Sequence, residues 1–256
     1  MLIPKNCPGH VTAGRRTIEV SRSTALSLTA VPALLLTGSL AGCDATVTAL
    51  EAIESSPSVA ADAPRLPSHV DAATALARLE NIPVKGRAPK TGYTREEFGP
   101  AWADIDHNGC DTRNDILARD LTGETFKGGT NNCVVDMGVL ADKYTGTTIN
   151  FVRGQDTSSE VQIDHIVALG DGWQKGAQQL SLDQRKQLAN DPMNLMATDG
   201  ATNRAQGDKD AATWLPPNKA FRCEYVARQT AIKAKYSLWV TKVEHDALVD
   251  VLVGCT

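Results

Sequence analysis

Between Val161 and Lys209 the chain runs through short segments whose order leaves few folds open. Val161-Gln-Ile-Asp-His-Ile166 is too brief for a stable helix and suits a strand. Asn190-Asp-Pro-Met-Asn-Leu-Met-Ala-Thr198 is a turn leading into a second short apolar strand. Asp199 is a good N-cap, and Ala201 to Gln206 a good start to a helix. The order is therefore strand, connection, strand, helix. Asp164 and His165 fall on the first strand, Asn194 near the second and Asn203 on the helix, which is how a ββα metal site is built. The Asp164-His165 pair alone carries little weight. A lone histidine between Ile163 and Ile166 is more often a packed, hydrogen-bonded core residue, and adjacent strand side chains face opposite sides unless the strand twists or ends.

Elsewhere helical signals dominate. Helices are expected over 71–80, from the Thr94-x-x-Glu97 capping box, over Thr112–Leu121, over 168–180 and over 181–190, the last opened by Ser181-x-x-Gln184. A long helix is expected over Lys219–Tyr236, and a last one runs from Thr241-x-x-Glu244 to Gly254. Cys133–Leu140 and Thr147–Val152 read as a hairpin around the Lys143–Gly146 turn. The expected fold class is α+β, a ββα-metal core embedded in a largely helical single domain with a β-hairpin. Trp173, Trp214 and Trp239 have apolar or helical neighbours and are assigned to the core.

Residues 1–42 read as a lipoprotein signal peptide. Arg15, Arg16 and Arg22 precede an apolar stretch, Ala25–Leu40, that ends in Leu40-Ala41-Gly42-Cys43. This arrangement resembles a bacterial lipobox, with Cys43 the lipidated first mature residue; the alternative is an ordinary signal peptide and a spare thiol at Cys43. The Arg15-Arg16 pair leaves twin-arginine export open beside the general route. Residues 43–70 read as a flexible tether and 71–256 as the domain. Removing 1–42 takes four basic residues and one acidic residue from totals of 26 and 30, which leaves 22 and 29, a formal charge of −7. A broad basic surface for nucleic acid is excluded, so binding of that kind must use a local patch. Four cysteines remain in the domain, and in an exported chain they suggest two disulfides. Three pairings are possible. Cys110–Cys133 and Cys223–Cys255 are favoured because each closes a local loop, and no C-x-x-C spacing supports zinc.

Asp164, His165 and Asn203 are residue types that a hydrolytic metal centre can use. A carboxylate and an amide oxygen are hard donors suited to Mg²⁺, or Mn²⁺, with water completing the shell. A histidine titrating near neutrality can take a proton from an attacking water. Here the chain resembles the HNH nucleases: Ile163-Asp-His-Ile-Val-Ala168, then Asn194-Leu195, then Asn203-Arg204 and Gly207-Asp-Lys209 follow the D-H-I…N…N-R-x-K form of the motif. Over about 92–255 it is similar to exported actinobacterial HNH endonuclease-family proteins and to the C-terminal domain of GmrSD-type restriction endonucleases. The shared segments are Gly92–Arg95, Phe98-Gly99, Cys110–Arg113, Ile116–Leu121, Asp164–Ile166 and Trp214–Asn218. The last histidine of the usual motif is replaced by Asn203, which leaves the metal's identity open.

The resemblance implies a ββα-metal core of the HNH (His-Me finger) kind and a metal-dependent endonuclease acting on DNA or RNA. His165 would be the general base, Asp164 and Asn203 the metal ligands, and Asn194 the residue orienting His165. Arg113, Arg204 and Lys209 become phosphate-binding candidates, the alternative for Arg204 and Lys209 being solvated helix charge. The expected protein is an exported monomer, anchored to the membrane through Cys43 or secreted. The competing function is a non-catalytic cell-envelope lipoprotein that keeps an HNH-like fold for binding. A third reading, a calcium-binding adhesion module, rests on Asp104, Asp106, Asn108, Gly109 and Asp115, which match EF-hand loop positions. Asp111 breaks that pattern, and an Asx-rich turn capping the next helix explains the same residues. His107 reads as an exposed turn residue.

Overall fold

A computed structural model describes residues 71–255. The segments expected to be signal peptide (1–42) and tether (43–70), with Cys43, lie outside the described residues. Two small antiparallel sheets are surrounded by helices. The first sheet is β1 (Leu121–Phe126), β2 (Val135–Ala141) and β3 (Thr148–Val152), in that order. The second is the pair β4 (Val161–His165) and β5 (Leu195–Asp199), which places Asp164 opposite Met196 and His165 opposite Leu195. The helices are α1 (Ala72–Leu79), α2 (Thr112–Asp120), α3 (Leu169–Gln174), α4 (Leu182–Asn190), α5 (Gly200–Gln206), α6 (Arg222–Lys235) and α7 (Lys242–Val253). Among the described residues none is long and apolar enough to cross a membrane.

Local chemistry accounts for most boundaries. Ser181 with Gln184 and Thr241 with Glu244 form complete capping boxes, and Asp199 caps α5 through Thr202 N. The Thr94 signal fails. Its side chain makes no cap, and the chain forms only one 3₁₀ turn, Arg95–Phe98, before Gly99 leaves at φ 80° and Pro100 follows. The helix expected over 168–180 breaks at Gly176, whose φ of 121° strongly favours glycine. Strand β1 was not expected. Thr122-Gly-Glu-Thr125 lacks the apolar alternation of a strand, and its pairing with β2 is irregular around Gly123.

The β4–β5 pair lies between three apolar clusters. Ile163, Leu195 and Ala197 pack with Ile116, Leu140 and Phe151 of α2 and the larger sheet. Met196 and Ile166 face the other way, onto Tyr144, Tyr225 and Leu248 of a helical core. Val167, just beyond β4, joins Phe98, Trp173 and Ile232. A strand covered on both faces reads as a continuous apolar run, which explains Leu195–Ala197.

Behind this pair is a buried ion cluster that no sequence motif announces. Lys175 and Lys233 are fully buried. Lys175 Nζ lies 2.7 Å from Asp171 and from Asp210 and 2.6 Å from Glu244. Lys233 Nζ reaches Glu244 at 2.8 Å and Asp171 at 3.2 Å. Arg87 joins Asp171 and Asp210 from the edge, so three cations meet three carboxylates. Asp171 Oδ1 and Glu244 Oε1 contribute at ion-pair distance without directional hydrogen bonds. Disulfides Cys110–Cys133 and Cys223–Cys255 are formed as expected; the first ties the start of α2 to β2, the second the start of α6 to the end of α7.

Candidate active site

Asp164, His165 and Asn203 are brought to one cavity of about 300 Å³, lined also by Arg95, Gln162 and Arg204. His165 is the last residue of β4, so the alternation of the strand ends there and two adjacent side chains reach the same space. Asn203 comes from the middle of α5 and donates from Nδ2 to Gln162 Oε1 at 3.0 Å, which leaves its own Oδ1 as an acceptor.

His165 is held by its far nitrogen. Nε2 lies 2.9 Å from the Ala189 carbonyl, which can only accept, so Nε2 carries the proton and Nδ1 is the ring's acceptor. Burial pushes the imidazole down to about 4, with the Ala189 bond opposing and Arg95 assisting, so the ring is neutral at pH 7. Asn194, fully buried, fixes the surrounding backbone. Its Oδ1 accepts from Val167 N at 2.8 Å and its Nδ2 donates to Leu188 O at 3.1 Å. The amide thus joins the end of β4 to the end of α4, next to the carbonyl that His165 uses. Arg119 and Arg228 clamp the same turn through the carbonyls of Pro192, Met193 and Leu195.

Asp164 is nearly inaccessible, and two polar groups that sequence reading missed hold it. The Tyr144 hydroxyl donates to Oδ2. The Gln206 amide, turned to satisfy its neighbours, donates to Oδ1 at 3.2 Å and to Gly207 O at 2.9 Å. Burial, the largest influence, raises the Asp164 carboxyl to about 7 against the pull of Tyr144, Arg228 and Arg95. Tyr144 is itself aimed by Asp142, which accepts from Tyr144 N and Thr145 N in the turn and from Thr198 Oγ1 on β5.

The donor set suits a hard divalent cation. Among the described residues no three His, Cys, Asp or Glu side chains form a metal-binding group, so a zinc-like cage is not available. One desolvated carboxylate, the amide oxygen of Asn203 and water are the ligands that Mg²⁺ takes. The remaining sequence candidates separate. Arg204 is exposed at the cavity. Lys209 bonds its ζ-amine back to Ala205 O, at 2.5 Å. Arg113 is half-buried, donates to Val161 O at the opposite end of β4 and does not line the cavity. Arg95, exposed and lining the cavity, carried no signal beyond its place in a shared segment. The Asp104–Asp115 loop closes on itself: Asn108 bridges Asp106 and Asp115, Gly109 N donates to Asp104, and Asp111 caps α2. His107 is exposed at φ 59°.

A helix-rich α+β domain with a strand-pair-and-helix site, closed by two disulfides, is matched by one family description. The model of the GmrSD restriction endonucleases, C-terminal domain, matches residues 111–251, more than half of the chain. A secreted protein of Arthroderma benhamiae, described as uncharacterized, is 34% identical over 197 residues, covering 76% of this chain and 91% of its own. The chain belongs to the family of the GmrSD restriction endonuclease C-terminal domain. No solved structure matches it.

Proposed function

We propose that the protein is an exported, metal-dependent endonuclease of the HNH kind that hydrolyses phosphodiester bonds in nucleic acid, DNA before RNA. The observation that carries this is the convergence of Asp164, His165 and Asn203 on one cavity, with His165 Nε2 committed to a carbonyl. In this reading β4, β5 and α5 are the ββα-metal core. His165 Nδ1 takes the proton of the attacking water as general base. Asn194 and the Ala189 carbonyl keep the ring in that tautomer and orientation. Asp164 and Asn203 Oδ1 hold the divalent cation, Mg²⁺ first and Mn²⁺ second. When bound, it neutralises the phosphate and stabilises the departing alkoxide oxygen. Tyr144 and Gln206 fix the Asp164 carboxylate for that role. Arg95 and Arg204 hold substrate phosphates, while Arg113 and Lys209, turned to backbone carbonyls, are less suited to it.

Export is supported by the signal-like 1–42 segment, by the two disulfides and by the relative described as secreted. Lipidation at Cys43 and membrane anchoring belong to the same proposal. Digestion of plasmid and of structured RNA by the purified protein, with Mg²⁺ and with EDTA, tests it. Cleavage with Mg²⁺ that EDTA abolishes is expected. Binding of both polymers without cleavage of either favours the non-catalytic alternative and overturns the proposal.

A further inference from the structure

His165 and Arg95 stand on a divide. On their other side lies a second cavity of about 210 Å³, lined by Phe98, Trp102, Leu169 and Asn190 as well. Where the first cavity is polar, this one is walled mainly by apolar side chains. Its volume falls below the range of whole small-molecule sites, about 300–1,000 Å³, so it suits a single ring system.

Two features give the occupant its chemistry. The half-buried Trp102 indole lies nearly parallel to the His165 ring, with planes 15° apart and centroids 6.2 Å apart. Its backbone is held at φ 57°, a conformation costly for a bulky residue, and is tied down by Thr112 N on its carbonyl. The second feature is Asn190, 1% exposed. Its Nδ2 is used by Lys186 O at 2.9 Å, while its buried Oδ1 has no partner. That bond fixes which end of the amide is spare, so the wall offers an unused acceptor. A buried acceptor without a donor is costly, and a ligand that brings a donor removes the cost.

We infer that this cavity receives one nucleobase of the substrate, stacked on Trp102 and donating an amine or ring N–H to Asn190 Oδ1, while Arg95 holds the adjoining phosphate. The inference rests on the nuclease reading and adds a base-binding residue, Trp102, to it. A flat, partly apolar group carrying both a donor and a neighbouring negative charge is a nucleotide. The pocket adjoins His165, so the bound base is one next to the bond that is cut.

The test is binding by ligand-observed NMR in EDTA, with 5′-dAMP, with 2-deoxyribose 5-phosphate, and with purine deoxyriboside 5′-monophosphate, which lacks the amine. The unmodified protein should bind 5′-dAMP more tightly than either of the others, with magnetisation transfer to the base protons. Trp102→Ala should weaken 5′-dAMP about 5- to 150-fold, the usual worth of one stacked base, and leave the sugar phosphate unchanged. Trp102→Phe should recover most of the loss. Equal affinity for 5′-dAMP and the sugar phosphate in the unmodified protein overturns the inference without any variant. So does a Trp102→Ala protein of unchanged melting temperature that binds 5′-dAMP normally. Plasmid cleavage by the same preparation separates the two levels: cutting without base binding refutes this pocket alone, and base binding without cutting refutes the catalytic reading.

Discussion

Tyr144 reaches Asp164 from twenty residues earlier in the chain, across a turn that Asp142 pins to β5. Removing only that hydroxyl, by Tyr144→Phe, should leave the ring in its aromatic cluster with Trp214 and Tyr225. If Asp164 holds Mg²⁺ as proposed, activation should then need about 10–100-fold more metal, the usual effect of losing a partner that orients a ligand. A titration curve that does not move would remove Tyr144 from the site. The meeting of Asp164, His165 and Asn203 in one cavity was legible in the sequence because each is a chemical type set on a recognisable strand or helix. Tyr144, Gln206 and Trp102 were not. A buried tyrosine in a turn and a glutamine in a short helix carry no periodic signal, and only the fold brings them to β4. The resemblance implied that the Asn194 amide ties the loop to the strand, and it does so through Val167 N and Leu188 O.

At the scale of elements, α3, α6 and α7 meet through the Lys175–Lys233 cluster. Glu244 also closes the capping box of α7, so one carboxylate serves the helix start and both buried lysines. Glu244→Gln leaves two buried ammonium groups short of a counter-charge and should cost about 3–5 kcal/mol. Chemical denaturation of the variant beside the parent measures it, and a loss under 1 kcal/mol would show the cluster to be replaceable. Its acid sensitivity has a definite sign. Burial alone would raise the Asp171 and Asp210 carboxyls, but the lysines and Arg87 override it and hold both below the ordinary carboxylate value. A depressed carboxyl stabilises the fold above its unfolded pKa, and that stability is lost as pH falls through the folded value. The cluster's contribution to the melting temperature, read as the difference between the parent and Glu244→Gln, should therefore be flat near neutrality and shrink from about pH 5 downward. A difference between the two proteins that grows on acidification to pH 3 would contradict this. Capping boxes and the hairpin were readable because they depend on neighbours in sequence. Strand β1 and the ion cluster were not, since their partners are distant and their residues locally resemble loop or solvated helix.

For the whole molecule, the pattern of short strands and helices indicated an α+β domain and the cysteine count two disulfides, and both are present. What the sequence did not reveal is that a polar cavity and an apolar one adjoin, with His165, Arg95 and Leu169 lining both. If Cys43 is the anchor, the native protein should partition with membranes and carry lipid mass, and Cys43→Ser should lose both; identical mass and partitioning would remove the anchor. The central claim is that His165 is a base and not merely a packed side chain, and His165→Ala tests it most directly. The variant should keep its melting temperature within a few degrees and still bind DNA, while turnover falls about 10²–10⁴-fold. A protein that melts much earlier, but whose folded fraction cleaves DNA at the full rate, would contradict the account.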